Sequence, residues 1–119
     1  MKLPFGKSKS KETEAVATIN HIFVSPDGQE YVLVLVESNP WSDPGTLPAL
    51  KERVELTYNY IESGELARAH PKSTQARKRI AIDYMFPPDP TATAYFQKIG
   101  PQLEQKGVAF QAELLENPN

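Results

Sequence analysis

Proton transfer near neutral pH falls most naturally to histidine, and this chain has two, His21 and His70, with no cysteine to serve as a nucleophile or soft metal ligand. Neither has a partner at useful spacing. His21 stands in a segment of strand-like composition and His70 directly precedes Pro71, so neither pattern builds a metal site or a nucleophile–base pair. A Gly-x-Ser-x-Gly elbow, a phosphate-binding glycine loop, a His-Glu-x-x-His helix and an acidic calcium loop are all absent from the sequence. The expectation is a non-enzymatic protein without cofactor or metal.

One carboxylate pair needs separate thought. Asp83 alternates against Ile80, Ile82 and Tyr84, and Glu113 holds the matching place in the last alternating segment. Two neighbouring carboxylates can share a proton and so do acid–base work. If helices cover only the opposite face of the sheet, both are simply solvated, the commoner outcome.

The best candidate for function is the acid-free basic stretch holding Arg68, His70, Lys72, Arg77, Lys78 and Arg79. Its cations suit an acidic protein partner, gaining orientation and faster encounter. They suit phosphates too, with Ser73, Thr74 and Gln75 donating to backbone oxygens. Aromatic residues for base stacking are missing from the stretch, and the chain carries a net charge of -2. A protein partner is therefore the first expectation, and a nucleic-acid-binding module using residues 68–79 and the Lys-rich start is the alternative. A plain solvated loop, balancing Glu52, Glu55 and Glu62, is the bland reading. Trp41, alone among Pro40, Pro44 and Gly45, either lids the core or anchors a partner.

Composition bounds the rest. At 119 residues, 39% apolar, the chain fits a single α/β domain over 15–116, with a flexible basic tail over 1–14 and a frayed end over 117–119. With Lys2, Lys7, Lys9, Lys11 and the five Arg and Lys residues of the basic stretch set aside, four cations remain against fifteen acids, so the body is acidic. The longest apolar run, Tyr31 to Val36, is too short to cross a bilayer. Cytoplasmic localisation is the default expectation.

The elements that must position these residues follow from periodicity. Residues 15–24 and Glu30 to Glu37 flank Ser25-Pro26-Asp27-Gly28, which reads as a hairpin turn. Leu47, Leu50, Val54, Tyr58 and Ile61 recur at helical spacing, with Thr46 as the expected N-cap and Gly64 closing the helix. Leu56 and Tyr60 lie beside that stripe and are expected to meet the second helix. A long polar connection leads to a strand from Arg79 to Phe86, then Asp89 caps a helix in which Gly100-Pro101 predicts a kink. Val108, Phe110, Ala112 and Leu114 alternate in a last strand. The expected fold is an α+β or α/β two-layer sandwich of order β-β-α-β-α-β, with two helices on one face of a four-stranded sheet. The direction of the third strand stays open.

Trp41 through Leu66, with Leu50-Lys51, Tyr58 and Ile61-Glu62-Ser63-Gly64-Glu65-Leu66, resembles a family of small uncharacterised bacterial proteins in which a Trp-containing loop precedes a helix with that ending. The resemblance implies a bacterial, cytoplasmic α/β domain, and it transfers no catalytic residue. Accessory, regulatory or toxin-neutralising binding of another protein is the expected role.

Overall fold

The computed structural model describes residues 18–115, so the expected tail over 1–14 and the frayed end over 117–119 lie outside the described residues. Strands β1 (His21–Val24) and β2 (Glu30–Glu37) are joined by the expected turn. Gly28 takes φ +74°, which lets its N–H donate to the Ser25 carbonyl at 2.8 Å. Asp27 braces the turn by accepting from the Ser25 hydroxyl at 2.6 Å and the Gln29 N–H at 3.0 Å. These bonds, Ser25's first, hold its carboxyl below the usual range, with Arg77 adding a smaller pull. Among the described residues β1 begins at His21, later than the expected 15; just before it Asn20 donates its N–H to the Val34 carbonyl at 2.9 Å and its Oδ1 accepts from the Val36 N–H at 2.7 Å.

From β2 the chain passes through α1 (Thr46–Glu62), α2 (Glu65–Ala69) and a 3-10 helix (Pro71–Gln75) to β3 (Arg77–Tyr84), then through α3 (Pro90–Gln105) to β4 (Val108–Leu114). The sheet order is β1-β2-β3-β4, with β1 antiparallel to β2 and with β2, β3 and β4 parallel. Parallel crossovers are nearly always right-handed, and two that step the same way across a sheet bring their helices to the same face. The core agrees: Leu50 and Val54 of α1 and Ala92 and Leu103 of α3 cluster with Leu35, Ile80, Ile82 and Val108, all from one side of the pleat. This is an α+β fold with a four-stranded mixed sheet.

Several expectations are corrected. The order gains α2 and the 3-10 helix, which fill the connection expected to be irregular, and β3 starts earlier, at Arg77, and ends at Tyr84, leaving Phe86 outside the strand. Gly64, at φ +90°, lets the chain turn directly from α1 into α2, and Leu66 is buried there. Leu56 and Tyr60 meet this corner rather than the second long helix, packing with Leu33 and Leu66 in a separate cluster. Thr46 is the first helical residue and not the cap; its hydroxyl donates instead to the Pro40 carbonyl at 2.8 Å. Where a kink is expected at Gly100, α3 continues through Pro101 without a restart. Gly100 is buried, and a Cβ built there would lie 3.4 Å from the Phe110 ring, so close packing on β4 seats the turn despite the missing N–H. Asp89 caps α3 as expected, accepting from the Ala92 N–H at 2.8 Å.

Candidate functional site

The strand register sorts every sheet residue by face. Leu33, Leu35, Ile80, Ile82, Phe110 and Ala112 share the helix side, because Leu33 pairs with Ile80 and Ile80 with Phe110. The alternate positions form the other face: His21 and Phe23 of β1, Glu30, Val32, Val34 and Val36 of β2, Arg77, Arg79, Ala81 and Asp83 of β3, and Ala109, Gln111 and Glu113 of β4. Among the described residues no helix packs on that face. Its centre is apolar, with Val34 and Ala81 buried, while Phe23 on the edge strand stands 57% exposed.

The basic stretch is divided by this geometry. Arg68 is exposed on α2, and Lys72 borders an open cavity of about 380 Å³ with Gly28, Gln29, Pro71, Thr74 and Gln75. His70 ends α2 half-buried, its ring 6.0 Å from that of Tyr31. Within β3 the pleat sends Lys78 to the helix side and Arg77 and Arg79 to the open face. Arg79 is already engaged, with Nε and Nη2 each 3.0 Å from Glu30 Oε2, whereas Arg77 is exposed. Ser73, assigned above to phosphate, is fully buried, and the Thr74 hydroxyl donates to the Pro71 carbonyl at 2.9 Å. The segment therefore presents separate cations rather than one patch.

Trp41 leaves the surface set altogether. It is 8% exposed, its Nε1 donates to the Phe86 carbonyl at 2.6 Å, and its ring meets Tyr84 and Phe96 edge-on. Asp83 and Glu113 are direct register partners on the open face, the first half-buried and the second exposed.

Sequence reasoning missed Arg53. Its guanidinium lies 3.5 Å from Glu37, a residue only 3% exposed, and donates to the Val36 carbonyl at 3.1 Å, the Thr18 carbonyl at 3.3 Å and Asn20 Oδ1 at 3.0 Å. Desolvation lowers the Arg53 pKa and the Glu37 charge opposes that shift. This cluster ties α1 to the ends of β1 and β2. A Glu at the end of an otherwise apolar strand was the available signal.

Between α1 and α3 a cavity of about 460 Å³ is bordered by Lys51, Tyr95, Lys98 and Gln102, and Lys51 Nζ lies 5.3 Å from the Tyr95 ring centroid. Burial, then the Glu55 charge, push the Tyr95 phenol up to about 12. The folded state thus favours the protonated phenol, and the resulting stabilisation is complete below the unfolded value of about 10 and disappears as pH rises through about 12. An ultraviolet difference titration of wild type against Tyr95→Phe should show the missing phenol ionising near that upper value. A midpoint at the ordinary tyrosine value would refute the burial.

A family model described as a family of unknown function (DUF6572) matches residues 12–116. No curated protein and no solved structure matches the chain.

Proposed function

Because the chain belongs to this family of unknown function, its role has to be argued from its own surface, and we propose that it is an interaction domain binding protein through the face of the sheet opposite α1 and α3. The carrying observation is the character of that face. Parallel sheets are almost always covered on both sides, and an antiparallel sheet that faces water does so with polar residues. Here the positions on that side of the pleat are Phe23, Val32, Val34, Val36, Ala81 and Ala109, of which Val34 and Ala81 are buried and Phe23, on the edge strand β1, is exposed. The apolar surface it offers is that of Phe23 with its half-buried register partner Val32, and exposed apolar surface beside charge can mark a contact site. Arg77 at one end supplies the charge that orients a partner, so one member of the basic stretch keeps the role expected of the whole.

Affinity capture from the native host tests this reading. Phe23→Asp and Arg77→Glu should each reduce recovery of whatever the wild type captures, while circular dichroism stays unchanged because both side chains are exposed. Undiminished recovery by Phe23→Asp would remove the open face from consideration. The nucleic-acid reading has less behind it, since Ser73 is buried and Arg79 is paired with Glu30. No oligonucleotide should be retarded even at low salt; steeply salt-dependent binding would reverse the ranking.

A further inference from the structure

Beyond the Phe23 face and independent of it, we infer that the outer edge of β4, with the apolar corner at its end, takes up an extended cationic segment of a partner protein as an added strand. The edge comes first. No strand lies beyond β4 among the described residues, and its register with β3 runs unbroken from Val108 to Leu114. The Leu115 N–H donates to the Tyr84 carbonyl at 2.7 Å, so the alternation of the strand turns the main-chain groups of Val108, Phe110, Ala112 and Leu114 away from β3. A regular edge is a template for another strand unless a Pro, a Lys or a bulge guards it, and β4 holds none of these. β1, the opposite edge, is four residues long and runs into Pro26.

The corner gives the occupant its apolar side. Met85, Phe86, Leu114 and Leu115 are each between 42% and 49% exposed, and the strand ends bring them together, since Tyr84 pairs with Leu114. Their backbone is pinned: the Met85 N–H donates to the Glu37 carbonyl at 2.9 Å, and the Phe86 carbonyl accepts from Trp41. Binding there orders little that is not already ordered, so less of the contact energy is lost to entropy. Main-chain bonds hold the segment, and the corner seats its apolar residues.

Charge fixes the remaining chemistry. Residues 36–50, 80–97 and 107–115, which include the strand ends and the loops leaving them, contain Glu37, Asp43, Asp83, Asp89 and Glu113 and no Lys or Arg. Glu37 is matched by Arg53, and Asp43 and Asp89 lie at the N-termini of α1 and α3, where each helix contributes about half a positive charge. Lys51 is turned onto the Tyr95 ring, and Lys106, before β4, onto that of Tyr58. Asp83 and Glu113, in register with each other, therefore stand without a cation at ion-pair distance among the described residues. A Lys or Arg of the added strand directly opposite Glu113 supplies it.

Two fluorescein-labelled decapeptides provide the test, one alternating Lys with Leu and Val, the other carrying Glu in place of each Lys. Fluorescence anisotropy should show the Lys peptide binding the full chain about tenfold more tightly than the Glu peptide. Glu113→Lys should weaken the Lys peptide about tenfold and Leu115→Asp should weaken it as well, whereas Phe23→Asp should bind it as wild type does. Circular dichroism of each variant verifies folding. Amide exchange followed by NMR reads the mode: the Lys peptide should slow exchange at Phe110 and Ala112, which face outward, and leave Ala109 and Gln111, which face β3, unchanged. Equal binding of the two peptides, binding of neither, or protection confined to other residues overturns the inference. Phe110 and Ala112 amides already protected without peptide would overturn it too. Protection that persists on dilution would then identify the chain itself as the cover, and protection lost on dilution a second copy.

Discussion

Trp41→Ala is expected to destabilise the protein by about 3–5 kcal/mol, the range for deleting a large aromatic side chain from a packed interior. The indole roofs the ends of β2 and β3, wedged edge-on between Tyr84 and Phe96. Its removal opens a cavity and also deprives the Phe86 carbonyl of the Nε1 donor. Trp41→Phe separates the two effects, because it retains most of the burial and loses the hydrogen bond, at about 1–3 kcal/mol. Urea denaturation monitored by circular dichroism measures both. A loss below about 1 kcal/mol for Trp41→Ala would mean that the ring is a surface group after all.

Arg53→Ala should cost about 3 kcal/mol, for a different reason. It removes little apolar packing but leaves the Glu37 carboxylate buried with only the Asn39 N–H, at 3.0 Å, among the hydrogen bonds described for it. Breaking a buried ion pair from one side is far costlier than replacing both partners by apolar groups. The figure sits at the lower end of the usual range because the Arg53 side chain keeps 23% of its exposure and is partly screened. The double variant R53M/E37L should therefore be more stable than Arg53→Ala alone. If Arg53→Ala and the double variant are equally destabilised in the same denaturation experiment, the cost lies in lost packing and not in a stranded charge.

These two residues show where sequence reasoning stops. Trp41 is a lone aromatic in a proline- and glycine-rich loop, and nothing in its neighbours distinguishes a lid from an anchor. Its partners, Tyr84, Phe86 and Phe96, lie far along the chain and come together only when β3 returns beside β2. Arg53 reads as one more charge on the polar side of an amphipathic helix. Only the packing of α1 over the end of β2 turns it inward onto Glu37.

Local chemistry was legible wherever a residue's own backbone decided the outcome. The turn at Pro26-Asp27-Gly28, the helix stop at Gly64 and the cap at Asp89 each depend on conformational limits or hydrogen bonds spanning a few residues. The alternation of β3 and β4 likewise gave their core faces directly. Pro101 is a partial case: its local cost predicts a bend or a restart, and the helix runs on without a restart where Gly100 packs closely on Phe110. The tertiary structure alone decided that β2, β3 and β4 run parallel and that Arg77 separates from Lys78. The physical reason is that these outcomes depend on which strands pair and which way the crossovers step, and pairing energy is shared between segments distant in the chain. The candidate site belongs to this second class, since its residues share a face only once the sheet is assembled.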